Sequence, residues 1–270
     1  MIGDFSKTSL LRGSFWISLS LGCLSLLIHA CASQKKNQTL VRECVLPDDQ
    51  SATLSGRWST VPVPIAVKAA TFEGEELGAL TRAADTWNAF SGGSLGFQIL
   101  NYGEGGIPNE SAAGRPPAVC AQRILQNDTY SGQVVIYKQT SWPYSNHSAI
   151  ALTSFCPVPA RNSQYPLIFM ALMELNYQDF FGDGKKKPDL QSIFLHELGH
   201  LIGLDHSCDF KKKAGFPDCR NGDLPENYFQ AAMYPVVSFD DAGAGETKRQ
   251  LGENDQGRTN CLYKEFNQGQ

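Results

Sequence analysis

Between residues 74 and 90 the apolar side chains Leu77, Leu80, Ala84, Trp87 and Phe90 recur at steps of three and four. That period predicts a helix with one buried face, and Gly92 and Gly93 stop it. On either side the period shortens to two. Val61, Val63, Ile65 and Val67 alternate in a proline-containing run that predicts a first strand. Residues 95–100, 133–137, 149–153 and 167–175 predict further strands, separated by connections rich in Gly, Pro and Asn. Residues 190–195 read as the start of another helix, with Asp189 in position to cap it. Strands interleaved with helices predict an α/β (α+β) fold built on a mixed sheet.

The N-terminus follows a different pattern. Lys7 and Arg12 precede an uncharged stretch, residues 13–34, whose apolar centre is residues 15–28. This layout predicts a signal peptide over residues 1–30. Ile28, His29, Ala30 and Cys31 resemble the lipobox of bacterial lipoproteins, in which the cysteine is lipidated and becomes the mature N-terminus. Lipidation at Cys31, ordinary cleavage and an uncleaved anchor stay open, and all three place the domain outside the cytoplasm. Residues 31–55 are polar and aperiodic, which predicts a flexible tether, followed by one folded domain over residues 56–270.

Charge and cysteine content narrow the picture. The formal charge is -4, from 23 basic and 27 acidic residues. Removal of residues 1–30 takes away Lys7, Arg12 and Asp4 and moves it to -5, so nucleic acid is excluded as a partner. Apart from Cys23 and Cys31, the cysteines are Cys44, Cys120, Cys156, Cys208, Cys219 and Cys261. In an oxidising compartment they predict three disulfides, with Cys208 and Cys219 able to close a short loop locally.

The chemistry concentrates at residues 196–206, where His196, Glu197, His200, Gly203 and His206 stand in fixed spacing. Four residues advance a helix by slightly more than one turn, so His196 and His200 share a face and can bind one metal ion. Glu197 lies about 100° around the helix, within reach of a metal-bound water without being a ligand. Gly203 ends the helix where the chain must bend back, which lets His206 arrive as the third ligand. Three neutral imidazoles with one position left to water describe a catalytic zinc site. Zinc acidifies the water and polarises the scissile carbonyl, while Glu197 takes the proton and returns it to the leaving amine.

This stretch matches the HExxHxxGxxH signature of metzincins, and Ser207 directly after the third histidine resembles the matrixin branch. Ala231, Ala232, Met233, Tyr234 and Pro235 are similar to the matrixin Met-turn, which implies that Met233 lies beneath the three imidazoles. Arg57-Trp58, Trp87-Asn88, Leu175-Asn176, Asn254-Asp255 and Leu262-Tyr263 fall in the family's order. The resemblance implies a zincin/metzincin-like catalytic domain with a twisted mixed sheet of about five strands and three main helices. It further implies a zinc metalloendopeptidase (EC 3.4.24 type) with an extended substrate beside residues 148–153. Pro235, Val236 and Val237 would wall a pocket for an apolar side chain. About twenty extra residues separate His206 from Met233 compared with a compact matrixin, and this insertion is expected to overhang the cleft.

Two further sites carry alternatives. Cys44 and its neighbours faintly resemble a matrixin cysteine switch, but an even cysteine count predicts a disulfide instead. Asp179, Asp183 and Asp189 flank a glycine-rich turn and are either calcium ligands or a solvated loop with Asp189 capping the helix. The chain thus reads as a monomeric, exported, zinc-dependent endopeptidase acting on protein or peptide substrates. It would be tethered to a membrane as an envelope lipoprotein, on the periplasmic or extracellular face, or otherwise secreted. The alternatives are a narrow-specificity processing protease and a metzincin-fold binding lipoprotein with little turnover.

Overall fold

The alternating segments pair into one sheet in the computed structural model, which describes residues 40–68, 71–72, 74–91, 95–102, 133–161 and 163–263. The strands are β1 (Arg57–Trp58), β2 (Val63–Lys68), β3 (Phe97–Tyr102), β4 (Gln133–Gln139), β5 (Ala151–Val158) and β6 (Leu167–Asn176). The helices are α1 (Glu75–Ser91), α2 (Leu190–Leu201), the short α3 (Glu226–Gln230) and α4 (Glu253–Tyr263). The main path of the sheet runs β1-β6-β4-β2-β3, all in parallel pairs, and β5 adds to β6 antiparallel. The expected strands are all present, each shifted or lengthened by a few residues. Arg57-Trp58 forms a short strand of its own, paired with Leu167 and Ile168 of β6.

Alternation sorts the side chains. Val63, Ile65 and Val67 of β2 join Val134 and Ile136 of β4 and Ala171, Met173 and Leu175 of β6 in one core, together with Leu80, Ala84 and Trp87 of α1. Phe194, Leu195, Leu198 and Leu201 of α2 complete it. On the opposite face Ala66, Val135, Tyr137, Met170 and Leu172 form a smaller cluster. Burial on both faces explains why β6 is an almost unbroken apolar run and not an alternating one.

The tether expectation is corrected from residue 40 onward. Cys44 is bonded to Cys261 of α4, and the Val45 amide donates to the Gly257 carbonyl at 3.1 Å. Asn260 donates to the carbonyls of Val41 and Glu43, and Gln50, fully buried, donates to the Ser207 carbonyl at 2.7 Å. The folded unit therefore extends upstream of residue 56. The segment shows no apolar period because it docks through backbone amides, carboxamides and a disulfide. Pairing of Cys44 also removes the cysteine-switch reading. Cys208 and Cys219 are bonded to each other as expected, and Cys156 is disulfide-bonded too. Cys120, the signal segment, Cys31 and residues 32–39 of the tether lie outside the described residues.

Candidate metal centre

α2 carries the site, and both of its ends are tied. At the N-terminus Asp189 accepts hydrogen bonds from the Ser192 amide at 2.9 Å and the Ser192 hydroxyl at 2.6 Å, the expected cap. At the C-terminus the Gly203 amide donates to the His200 carbonyl and the Leu204 amide to the Gly199 carbonyl, the two bonds of a Schellman motif. Gly203 has φ +94°, and a Cβ there would meet the Gly56 carbonyl oxygen at 1.8 Å. Only glycine fits both the backbone conformation and the contact. Two last-turn carbonyls that a helix leaves open find side chains. Trp58 Nε1 donates to the Leu201 carbonyl at 2.6 Å, and the Tyr263 hydroxyl donates to the Ile202 carbonyl at 3.0 Å. Trp87 Nε1 reaches the Leu195 carbonyl at 3.1 Å. The dispersed tryptophan and tyrosine positions that resemble the family's order are thus braces on the site helix.

His196, His200 and His206 converge, with one ligand atom from each lying within 4.8 Å of the others. His196 Nδ1 donates to the Ala232 carbonyl and His200 Nδ1 to the Leu204 carbonyl, both at 2.7 Å. Those bonds fix the tautomers and leave the Nε2 lone pairs directed at the centre. His200 Nε2 and His206 Nε2 stand 3.2 Å apart. Burial, then the neighbouring imidazoles, pushes all three down to about 3, so each is a neutral ligand at ordinary pH. Crowded, neutral nitrogen donors oriented from behind fit a zinc ion.

The turn beneath the histidines is held by α4. Asp255, fully buried, accepts from the amides of Ala232 at 2.7 Å, Met233 at 3.1 Å and Gly252 at 2.8 Å. Met233 is fully buried, and a Cβ added at Gly199 would meet its Sδ at 2.2 Å. The thioether therefore rests against α2 at Gly199, the residue before His200. Arg258 donates to the Asp205 carbonyl at 2.9 Å and thereby supports the segment that delivers His206. Asp255 stands out in the sequence only through the family's order of residues, and Arg258 carries its role without any local sequence signal.

Glu197 is 6% exposed, and its Oε2 accepts from the Thr153 hydroxyl at 2.6 Å. Burial pushes its carboxyl up to about 7, against the lowering effect of the Thr153 bond. Thr153 was expected only as part of a substrate strand; its bond to the carboxylate is a contact between segments that no local pattern announces. Along the histidines runs a cleft of about 1070 Å³. β5 borders it with residues 151–153, Pro235, Val236 and Val237 line another wall, and Phe210, Lys213 and Phe216 of the disulfide-closed insertion line a third.

The three aspartates do not assemble. Asp179 accepts from Asn176 Nδ2 and bonds His147 Nδ1 at 2.8 Å. Asp183 is exposed and stands 3.6 Å from Lys187, while Asp189 caps α2 and pairs with Arg249. Lys185 donates to the carbonyls of Tyr177 and Gln178, oxygens that a calcium ion in this turn would draw on. Among the described residues the histidine triad is the one group of three His, Cys, Asp or Glu side chains close enough together to hold a metal ion.

Comparison with known proteins agrees with this geometry over part of the chain. Residues 95–213 match the family model Peptidase_M10, matrixin, a span that includes all three histidines and Glu197. No curated protein sequence matches the chain. Among solved structures, high choriolytic enzyme 1, a hatching enzyme zinc-protease from the medaka fish Oryzias latipes, aligns at 13% identity. The alignment covers 79% of this chain and 96% of that one, with a TM-score of 0.35, and a likeness so slight carries no weight for mechanism.

Proposed function

Starting from a matrixin-like metzincin chain, we propose that this protein is a zinc endopeptidase that cleaves exported proteins in an extended conformation. The observation that carries the reading is the convergence of three imidazoles, two of them with tautomers fixed by backbone carbonyls, beside a buried Glu197, in a cleft bordered by β5. His196, His200 and His206 would hold the ion through Nε2. When bound, zinc supplies Lewis acidity, acidifying water and polarising the scissile carbonyl.

The chain's own groups do the rest. Among the described residues β5 pairs only with β6, along one edge, so its other edge is the place for a peptide to be laid along it as an added strand. Backbone pairing of that kind holds a substrate without reading its side chains, which suits an endopeptidase. Glu197, adjacent to the ligands and held out of water, accepts a proton and returns it to the departing amine. Pro235, Val236 and Val237 favour an apolar side chain beside them.

The insertion supports a narrower version of the same activity. Phe210, Lys213 and Phe216 border the cleft, so bulky or folded substrates meet a fixed, disulfide-closed obstacle. The enzyme acts outside the cytoplasm as a monomer and is anchored through lipid at Cys31. The exported reading rests on the N-terminal pattern and draws support from the disulfide-bonded cysteines.

The test is zinc content together with cleavage of unfolded casein and a peptide library by the purified chain. Residue 44 must be retained, since truncation at residue 50 would leave Cys261 without its partner. Stoichiometric zinc with cleavage is expected. Glu197→Ala should keep the metal and lower kcat by on the order of a hundred- to ten-thousandfold. Correctly folded protein that takes up no zinc would sink the proposal, and stoichiometric zinc without any cleavage would leave a binding protein.

A further inference from the structure

We infer that Thr153 is a positioning residue for the base, holding the Glu197 carboxylate from the strand on which substrate is laid. The inference rests on the endopeptidase reading and adds to it a residue that the HExxHxxGxxH spacing does not contain.

The placement of Thr153 is unusual for its row. In the antiparallel pairing of β5 with β6, Ala151 opposes Leu175, Thr153 opposes Met173 and Phe155 opposes Ala171. Directly opposed residues share a face of the sheet. Leu175, Met173 and Ala171 are fully buried in the main core, and Ala151 and Phe155 pack against it. Thr153 is thus the hydroxyl in a row of apolar side chains. A hydroxyl on such a face costs free energy unless it is hydrogen-bonded, and its bond runs to Glu197 Oε2 at 2.6 Å across the gap between β5 and α2.

The bond has a consequence for the carboxylate. With Oε2 engaged by the hydroxyl, rotation about the terminal torsion of Glu197 is checked, and Oε1 remains as the oxygen that can take up a proton. A charge-assisted O–H···O bond is among the stronger ones available to a side chain, and here the Thr153 rotamer is itself restricted by branching at Cβ. Substrate paired to residues 151–153 therefore sits on the same strand that orients the base, so the reacting bond and the carboxylate are registered through one element. Thr153 acts through Glu197 and touches no reacting atom.

Two substitutions separate positioning from packing. Thr153→Val keeps the branched shape and removes the hydroxyl, whereas Thr153→Ser keeps the hydroxyl and removes the methyl. In zinc-loaded protein, Thr153→Val should lower kcat on casein-derived peptides by on the order of ten- to a hundredfold with KM unchanged, and Thr153→Ser should recover most of it. Zinc content should be the same in all three proteins. Crystal structures of the zinc-loaded proteins provide a readout independent of turnover. The Glu197 carboxylate should hold one orientation bonded to residue 153 in the unmodified protein and Thr153→Ser, and lose it in Thr153→Val. An unchanged carboxylate in Thr153→Val, or unmodified protein in which Thr153 and Glu197 are not bonded, overturns the inference even if no substrate is ever cleaved. A failure of the unmodified, zinc-loaded protein to cleave anything while the bond is present instead removes the endopeptidase reading.

Discussion

Two stretches of this chain each carry three side chains read as candidate metal ligands, and only one of them gathers its three. At residues 196–206 the helix places two imidazoles one turn apart, and the Schellman turn at Gly203 returns the chain so that the third arrives. At residues 179–189 three carboxylates flank a turn of similar length, yet each is taken by a different neighbour: Asn176 and His147, Lys187, and the α2 amide end with Arg249. The difference lies in what stands behind the ligands. Carbonyls of Ala232 and Leu204 orient imidazoles toward a common point, whereas lysines at residues 185–187 bring the turn its own cations. Ligand type and spacing propose a site, and the unshared partners decide whether it exists.

The sharpest way to break the contrast is His200→Ala. Zinc content should fall from stoichiometric toward none and cleavage should disappear, while near-ultraviolet circular dichroism stays unchanged because α2 is braced by Trp58, Trp87 and Tyr263. Retained stoichiometric zinc in this variant would mean that the metal sits elsewhere.

Acid should separate the same ligands in metal-free protein. Burial lowers them in the folded state from the ordinary 6.5 to about 3, so below 6.5 the unfolded chain takes up three protons that the folded site refuses. Glu197, raised to about 7, opposes this with one proton held by the folded state. The unfolded state binds more protons on balance, so stability should fall as pH drops from 6.5 toward 4.5, on the order of 1 kcal/mol per net proton and pH unit. Urea midpoints of chelated protein across this range provide the measurement, and a flat profile would contradict the burial of the triad.

The smallest effect concerns the carboxylates. Asp189→Ala should cost about 1 kcal/mol through the lost cap, read as a lower Tm. Added calcium should shift the Tm of neither this variant nor the unmodified protein. A calcium-dependent rise in the unmodified protein, absent in Asp189→Ala, would restore the aspartates as a site.

How much of this was legible follows from the range of each interaction. The α1 face, the five long strands, the cap at Asp189 and the positive φ at Gly203 are local, and each appears in the periodicity or composition of a short window. Histidine spacing on a helix is local as well, so the clustering of His196 and His200 was readable. The misread boundary at residue 56 has the opposite origin: Val41, Cys44 and Gln50 are secured by partners more than 150 positions away, through amides and a disulfide that leave no apolar period. Thr153 looked like one more strand residue.

The sequence by itself determined the elements and the placing of the three histidines and Glu197 along the chain, because backbone periodicity and helix geometry operate within a few residues. Tertiary structure alone decided that Asp255 holds the Met-turn, that Arg258 supports the approach to His206, that Thr153 meets Glu197, and that the aspartates are dispersed. Hydrogen bonds and ion pairs between distant segments depend on where the folded chain brings its groups together, and residue spacing carries no record of that.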